Sequence, residues 1–78
     1  MEDRLYRVVA ATFGVPMESM TDEFSPVHIN NWDSLGHINL ILALEAEFNI
    51  TLSPDEAAEM LSVGMIRKVL RDKRVTSI

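Results

Sequence analysis

The stretch from Ser34 to Phe48, SLGHINLILALEAEF, constrains the fold more than any other part of the chain. Its apolar residues recur at a helical spacing and do not alternate with period two, which predicts a helix. When the residues are turned at about 100° each, one group forms an arc wide enough to be the core face of that helix. This group comprises Leu40, Ile41, Leu44 and Phe48.

A second apolar arc on the same helix holds Leu35, Ile38 and Leu42. A helix at the surface of a bundle needs only one apolar stripe, about 100° wide or slightly more, so this arc requires its own explanation. It can contact the long loop or another helix, or it can stay partly open as a docking patch beside Ser34. The sequence leaves both explanations open. The remaining face is small or polar, and we expect it to contact water: Gly36, Asn39, Ala43 and Glu47.

The N-terminal part of the chain predicts one helix followed by a long loop. An apolar stripe predicts a helix from about Glu2 to Phe13, and Gly14 and Pro16 supply its stop signal. Residues 15–33 are polar and irregular. A loop of this length in so small a domain is unusual, and such loops tend to be functional.

Two further helices are predicted after the central one. The sequence SPDE at residues 53–56 is a capping box with proline at the first helical position, and it opens a short helix through about Leu61. Ser62 can cap a fourth helix. We therefore predict an all-α fold for residues 1–78 as a single domain: a small bundle of three main helices plus one short helix, with a long loop between the first and second helices.

The charge distribution argues against one large class of partner. Residues 1–61 carry eleven acidic and two basic side chains, whereas residues 62–78 carry one acidic and five basic side chains. Nonspecific nucleic-acid binding depends on neutralising phosphates with Lys and Arg, so the net charge of −5 argues against nucleic acid as a partner. We expect the acidic body of the domain to attract basic partners.

The sequence contains no cysteine and no long apolar run. It therefore has no disulfide and no thiolate metal site. No apolar run approaches the roughly 20 residues needed to span a bilayer, and the acidic N-terminus lacks the apolar core of a signal peptide. From these features we expect a mature cytoplasmic protein, monomeric and without membrane insertion.

Ser34 has three possible roles at the point where the polar loop gives way to the central helix. It can be a helix-terminus residue, with Asp33 as the N-cap. It can be a hydrolase nucleophile with His37 or His28 as its base, although so short a chain leaves little room for an oxyanion hole. A separate hypothesis, a metal site formed by Asp33, His28 and His37, is disfavoured because the spacing of these residues matches none of the usual ligand motifs. Finally, Ser34 can be modified, because a helix N-terminus favours a phosphate.

Residues 33–48, DSLGHINLILALEAEF, resemble the central motif of the acyl carrier protein family. In that family an Asp-Ser-Leu triplet opens the second helix, which ends in an acid-rich Leu-Glu-x-x-Phe sequence, here residues 44–48. The resemblance covers nearly the whole chain, because the length, the acidity, the long first loop and the short third helix also agree.

The resemblance implies that Ser34 carries 4′-phosphopantetheine, transferred from coenzyme A by a separate Mg²⁺-dependent phosphopantetheinyl transferase. The thiol of this arm would hold acyl groups as thioesters for acyl-loading and acyl-transferring enzymes, so the protein itself would not be an enzyme. The implied cofactor-binding residues are Ser34, Asp33, Leu35 and Gly36. The implied partner-binding residues are Leu35, Ile38, Leu42, Glu45 and Glu47.

Several positions depart from the family's pattern. Gly36 and Asn39 stand where acids are common, and Asn31 and Trp32 stand where small residues are usual. These departures favour a carrier for a specialised pathway, such as polyketide or modified-lipid synthesis, over the general carrier of fatty acid synthesis. The alternative function is a small helical interaction module without a prosthetic group, whose second helix docks in a partner's groove.

Three residues near Ser34 carry local hypotheses. Trp32 either fills the space between the loop and the bundle or contacts a partner, and we favour the first, because buried aromatic area stabilises long loops. His37 falls within the core arc, where it can tie down the loop. Gly36 either leaves the backbone open beside Ser34 or is a glycine tolerated near a helix end.

Overall fold

The computed structural model describes residues 3–75 and 78, and within these residues it contains four α-helices and no strand. Their bounds are α1 Arg4–Phe13, α2 Ser34–Phe48, α3 Pro54–Ala58 and α4 Val63–Asp72. The predicted all-α fold of three main helices and one short helix is confirmed. In the described part of the chain, none of these helices is long and apolar enough to cross a bilayer.

The helix ends follow the capping signals. The predicted start of the first helix at Glu2 lies outside the described residues, and Asp3 caps α1 by accepting the Tyr6 N–H at 3.0 Å. Gly14 ends α1 in the left-handed conformation, at φ 68°, where glycine has no steric penalty. The predicted capping box of α3 and the predicted Ser62 cap of α4 are both present.

The short third helix ends earlier than predicted, at Ala58 rather than near Leu61. The backbone N–H of Met60 bonds to the carbonyl oxygen of Ala57 at 3.2 Å, a three-residue spacing that tightens the last turn. The Met60 side chain is completely buried. Burial of this side chain in the core therefore accompanies the end of the helix.

The predicted irregular loop contains two short 3₁₀ turns, Met17–Ser19 and Pro26–His28. Each turn is only three residues long, too short to produce an apolar periodicity in the sequence. The loop is attached to the core by three buried side chains, Met20, Phe24 and Trp32.

The core face of α2 is the one predicted. Leu40 and Leu44 are completely buried, and Ile41 and Phe48 pack at the edge of the core. The face with Gly36, Asn39, Ala43 and Glu47, which was predicted to contact water, is exposed at Asn39 and only partly exposed at the other three positions.

This small-residue face lies against the rest of the bundle because α1 packs on α2. Ala43 is half-buried against the core. The Arg4 guanidinium of α1 donates to the Glu47 carboxylate at 3.0 Å and to the Glu47 carbonyl oxygen at 2.9 Å. The small residues Gly36 and Ala43 permit α1 and α2 to approach closely. The polar residues of the same face did not indicate this helix contact.

Gly36 is required by the loop that precedes α2. A Cβ atom at this position would overlap the carbonyl oxygen of Asn31 and would lie 3.2 Å from Cε1 of Phe13. The backbone at Gly36 is thus covered by the loop, neither open nor merely tolerated. The absence of a side chain lets residues 30–33 lie across the first turn of α2.

Gly36→Ala should destabilise the fold although it improves helix propensity. Alanine gains about 1 kcal/mol over glycine within a helix, but a side chain forced into filled space costs about 1–3 kcal/mol, and here the obstacle is backbone. We expect a lower free energy of unfolding in urea, followed by circular dichroism. Asn39→Ala, at an exposed position of the same helix, should be neutral or stabilising. A Gly36→Ala variant more stable than the parent would contradict this role.

The long loop is fastened to the start of α4 by backbone hydrogen bonds. The Val63 N–H donates to the Phe24 carbonyl oxygen at 2.9 Å, and the Gly64 N–H donates to the Asp22 carbonyl oxygen at 2.8 Å. The first N–H groups of a helix have no partner inside the helix. Here loop carbonyls satisfy two of them and fix the loop in place.

A charged cluster reinforces this attachment. Arg67 of α4 donates to Asp22 at 3.1 Å and to Asp3 at 2.9 Å, while the Tyr6 hydroxyl donates to Asp22 at 2.9 Å. The hydrogen bond from Arg67, followed by that from Tyr6, holds the pKa of the Asp22 carboxyl below its ordinary value. The ionised form of Asp22 is therefore the one that stabilises the fold.

Asp22→Asn should lower stability at neutral pH, and its difference from the parent should shrink on acidification. Because the pKa of Asp22 is lowered by folding, its contribution is present above the ordinary aspartate pKa of about 4 and is lost as pH falls through the folded-state value. Urea unfolding at several pH values between neutral and about 3 measures this. Glu23→Gln, which removes an exposed carboxylate from the same loop, is the control; an equal effect from both variants would refute the assignment.

Candidate functional site

Asp33 organises the first turn of α2. Its backbone is extended, and its Oδ1 atom accepts the Gly36 N–H at 2.9 Å. Its carbonyl oxygen accepts the His37 N–H at 2.8 Å. The predicted N-cap role of Asp33 is confirmed, and Ser34 is consequently the first helical residue.

The Ser34 side chain is exposed and takes no part in the hydrogen bonds found among residues 3–75 and 78. A serine at this place often serves the helix through a bond to an open backbone N–H. Here Asp33 provides that bond instead. The Ser34 hydroxyl is therefore accessible from solvent and is not needed for the helix cap.

A cleft of about 550 Å³ opens beside Ser34, between the start of α2 and the segment that contains α3. Its lining is mostly apolar and comes from the loop, α2, α3 and the turn after α3. Its lining residues include Trp32, Ser34, Ile38, Ala57, Met60 and Leu61. A group attached to Ser34 would thus begin at the edge of an apolar surface.

The floor of this cleft is held by a chain of hydrogen bonds. Trp32 is buried, at 4% exposure, and its Nε1–H donates to His37 Nδ1 at 2.9 Å. His37 Nε2 lies 2.9 Å from the Ala57 carbonyl oxygen. With Nδ1 as acceptor and Nε2 as donor, one neutral tautomer satisfies both bonds. His37 thereby joins the loop, α2 and α3, which confirms that it ties down the loop.

Aromatic contacts fix the same tryptophan from the side of the core. Trp32 stacks on Phe13 with ring centroids 5.0 Å apart and on Phe24 with centroids 6.1 Å apart. Stacked pairs of this kind contribute about 0.5–1.5 kcal/mol beyond their buried area. Trp32 therefore fills the space between loop and bundle, as favoured above, and does not present its ring to a partner.

This arrangement disfavours the hydrolase hypothesis. Both ring nitrogens of His37 are engaged, and His28 Nδ1 accepts the Ser25 N–H at 3.1 Å. Neither imidazole hydrogen-bonds to Ser34 among the described residues, so the serine has no base in place. Within residues 3–75 and 78, no group of three His, Asp or Glu side chains could hold a metal ion.

The second apolar arc of α2 is open to solvent. Leu35, Ile38 and Leu42, which we name the α2 stripe, are 68%, 55% and 59% exposed. The sequence left open whether this arc contacts the loop or stays accessible, and the structure places it at the surface. Ile38 also lines the cleft beside Ser34, so the stripe and the cleft form one continuous apolar region.

The two glutamates expected to join the α2 stripe bind within the protein instead. The Glu45 carboxylate accepts the backbone N–H of Leu52 at 2.8 Å, and the Glu47 carboxylate binds Arg4. Both residues are half-buried. Glu45 follows Leu42 by three residues and so adjoins the stripe on the surface of α2, although its carboxylate, like that of Glu47, bonds within the protein.

Sequence reasoning missed the far wall of the cleft, which includes Ala57, Met60 and Leu61. Leu61 is 66% exposed. The sequence gave only a weak indication of this wall: Leu61 is a large apolar residue that lies between the short helix and α4. Only the fold shows that this leucine lines the same cleft as Ile38.

His37→Leu should destabilise the protein, because it leaves the buried Trp32 Nε1–H without an acceptor. An unpaired buried donor costs about 1–3 kcal/mol. The emission of Trp32, the only tryptophan, reports both the environment of the ring and the unfolding transition. His28→Leu changes the exposed histidine of the loop and should have a smaller effect. Equal losses in the two variants would be inconsistent with the hydrogen-bonded chain described here.

No family model matches the chain. The acyl carrier protein of Buchnera aphidicola subsp. Baizongia pistaciae (strain Bp) is 32% identical to it over 71 residues, which cover 91% of this chain and 91% of the relative. The similarity therefore extends far beyond the residues around Ser34.

Proposed function

The chain belongs to the acyl carrier protein family, and from this premise we propose that Ser34 is the residue on which it carries 4′-phosphopantetheine. Proteins of this family are carriers and not enzymes, so this protein holds acyl groups and does not transform them. The observation that carries the proposal is the exposed Ser34 hydroxyl, which the fold leaves unused because Asp33 provides the helix cap.

The first turn of α2 fits a phosphate esterified to Ser34. Asp33 accepts the N–H groups of Gly36 and His37, through its side chain and its carbonyl oxygen respectively. The N–H groups of Ser34 and Leu35 have no acceptor among the described hydrogen bonds. Two open N–H groups at the positive end of a helix dipole stabilise a phosphate.

The cleft fits the organic part of the group and its cargo. Its mostly apolar lining begins at Ser34 and continues to Met60 and Leu61. When bound, the prosthetic group supplies a thiol that holds an acyl group as a thioester. The chain's own residues position the group at the helix start and offer an apolar surface beside it.

The α2 stripe is the surface that we assign to the partner enzymes. These partners are the phosphopantetheinyl transferase and the enzymes that load and transfer acyl groups. Leu35 directly follows Ser34, so a partner that contacts the stripe brings its own active site close to the attachment point. Among fatty-acid, polyketide and related pathways, the neutral residues Gly36 and Asn39 favour a specialised pathway over general fatty acid synthesis.

A protein interaction module without a prosthetic group is the second candidate. It is favoured by the exposure of the α2 stripe, since an amphipathic helix can dock in a groove without any modification. Such a module has no use for an unengaged serine hydroxyl at the edge of a cleft. The two candidates differ in whether Ser34 accepts the arm.

Incubation with coenzyme A, Mg²⁺ and a broad-specificity phosphopantetheinyl transferase should add one arm per chain, detected by intact mass. Ser34→Ala should abolish the addition, because the acceptor hydroxyl is lost. Ser62→Ala is the matched control, since Ser62 also stands at a helix start but caps α4 through the Met65 N–H at 3.2 Å. Failure of the parent chain to gain mass would leave the interaction module as the better function.

A further inference from the structure

We infer that Trp32 and His37 close the core of this carrier to its cargo, so that the protein carries short acyl groups on the surface of the cleft beside Ser34. The inference rests on the proposed function and concerns the class of acyl group that is carried. It makes Trp32 and His37 the residues that limit the length of the cargo.

Trp32 and Met60 separate the cleft from the core. Both side chains line the cleft, and both belong to the buried core, at 4% and 0% exposure. Because protein interiors are close-packed, an alkyl chain that passes from the cleft into the core must displace one of them. Displacement of the Trp32 ring would also break its stacking contacts with Phe13 and Phe24.

A hydrogen bond to His37 holds the Trp32 ring in this place. The Trp32 Nε1–H donates to His37 Nδ1 at 2.9 Å, and the two ring centroids lie 6.3 Å apart. An indole pushed aside by an alkyl chain would lose this acceptor, and a buried donor without an acceptor is unfavourable. An aliphatic side chain in the same position could move without any such loss.

The same histidine keeps α2 and α3 from separating. With Nε2 as the donor, His37 bonds to the carbonyl oxygen of Ala57 at 2.9 Å. On its other side, α3 is joined to α4, because the Lys73 ammonium lies 3.0 Å from the Glu56 carboxylate. A chain that entered between α2 and α3 would have to break the first contact, and the second opposes outward movement of α3.

The cleft itself covers a bound chain on one side only. Its lining residues Ser34, Ile38, Ala58 and Leu61 are all exposed, so the outer side of the cleft is open to solvent. Hydrophobic stabilisation is proportional to the apolar area removed from water, and each added methylene therefore gains less here than it would in a core. Acyl groups of a few carbons fit this cleft, whereas longer chains would remain exposed to water.

The test compares cargo lengths on the same chain. Ser34 is loaded from acetyl-, butyryl- and octanoyl-coenzyme A with the broad-specificity transferase, and intact mass confirms one acylated arm per chain. The melting temperatures of the three loaded forms, followed by circular dichroism, should agree within about 2 °C. The emission maximum of Trp32 should be the same in all three. An octanoyl chain buried in the core would instead raise the melting temperature by about 10 °C or more over the acetyl form.

Two variants test the residues that close the core. Trp32→Leu keeps an apolar side chain but leaves space, so its octanoyl form should melt at least about 5 °C above its acetyl form. His37→Leu removes both hydrogen bonds and keeps the fluorophore, so octanoyl should shift its Trp32 emission. Phe48→Leu is the matched control, because Phe48 packs at the edge of the core and does not line this cleft. Its melting temperature should fall equally for every cargo.

A parent chain whose melting temperature rises with cargo length would overturn this inference and leave the proposed function standing. Length-independent behaviour of both Trp32→Leu and His37→Leu would overturn it as well, since these residues would then not be the barrier. The comparison within the parent decides the matter even if a variant does not fold. No mass added to the parent from any of the three donors would overturn the proposed function and this inference with it.

Discussion

The burial of Trp32 is the interaction on which the rest of the structure depends. Its ring stacks on Phe13 and Phe24, which holds the end of the long loop against the core. A buried indole needs an acceptor for its N–H, and His37 provides one while bonding to Ala57 on its other side. One side chain thus fixes the loop, the start of α2 and the wall of the cleft at once. Ser34 is positioned by this assembly without contributing to it.

Two arginines join segments of the molecule through ion pairs. Arg4 and Arg67 are each paired with carboxylates, and they join α1 to α2 and α4 to the loop. Fully exposed ion pairs contribute little individually, but these pairs are partly buried and link segments that are distant in sequence. The exposed apolar residues Leu35, Ile38 and Leu42 of α2 take no part in these pairs. The overall acidity of the chain therefore gives no guide to the character of its most accessible helix face.

The sequence predicted those features that depend on local chemistry. The caps at Asp33, Ser53 and Ser62 follow from side chains that bond to N–H groups three residues away, and the spacing of Leu40 and Leu44 defines the core face. The sequence did not predict the features that depend on contacts between segments distant in the chain. In an isolated helix, a glycine at position 36 would only lower the helix propensity. The loop that crosses the first turn of α2 is what excludes a larger residue at this position. Similarly, the polarity of Glu47 suggested contact with water, while its carboxylate binds Arg4 of another helix.

Asp33 caps α2, whereas the Ser34 side chain makes no hydrogen bond in the described part of the chain. This difference bears on the stability of a chain that is modified at Ser34. Asp33, which caps the helix, and Ser34, the proposed attachment residue, are neighbours in sequence, yet their side chains form no hydrogen bond with each other. Because the hydroxyl lies outside the network that stabilises the native state, converting it to an ester removes nothing from that network. Under the proposed function, bare and substituted chains are therefore expected to keep the same backbone and nearly the same thermal resistance through repeated charging and discharge.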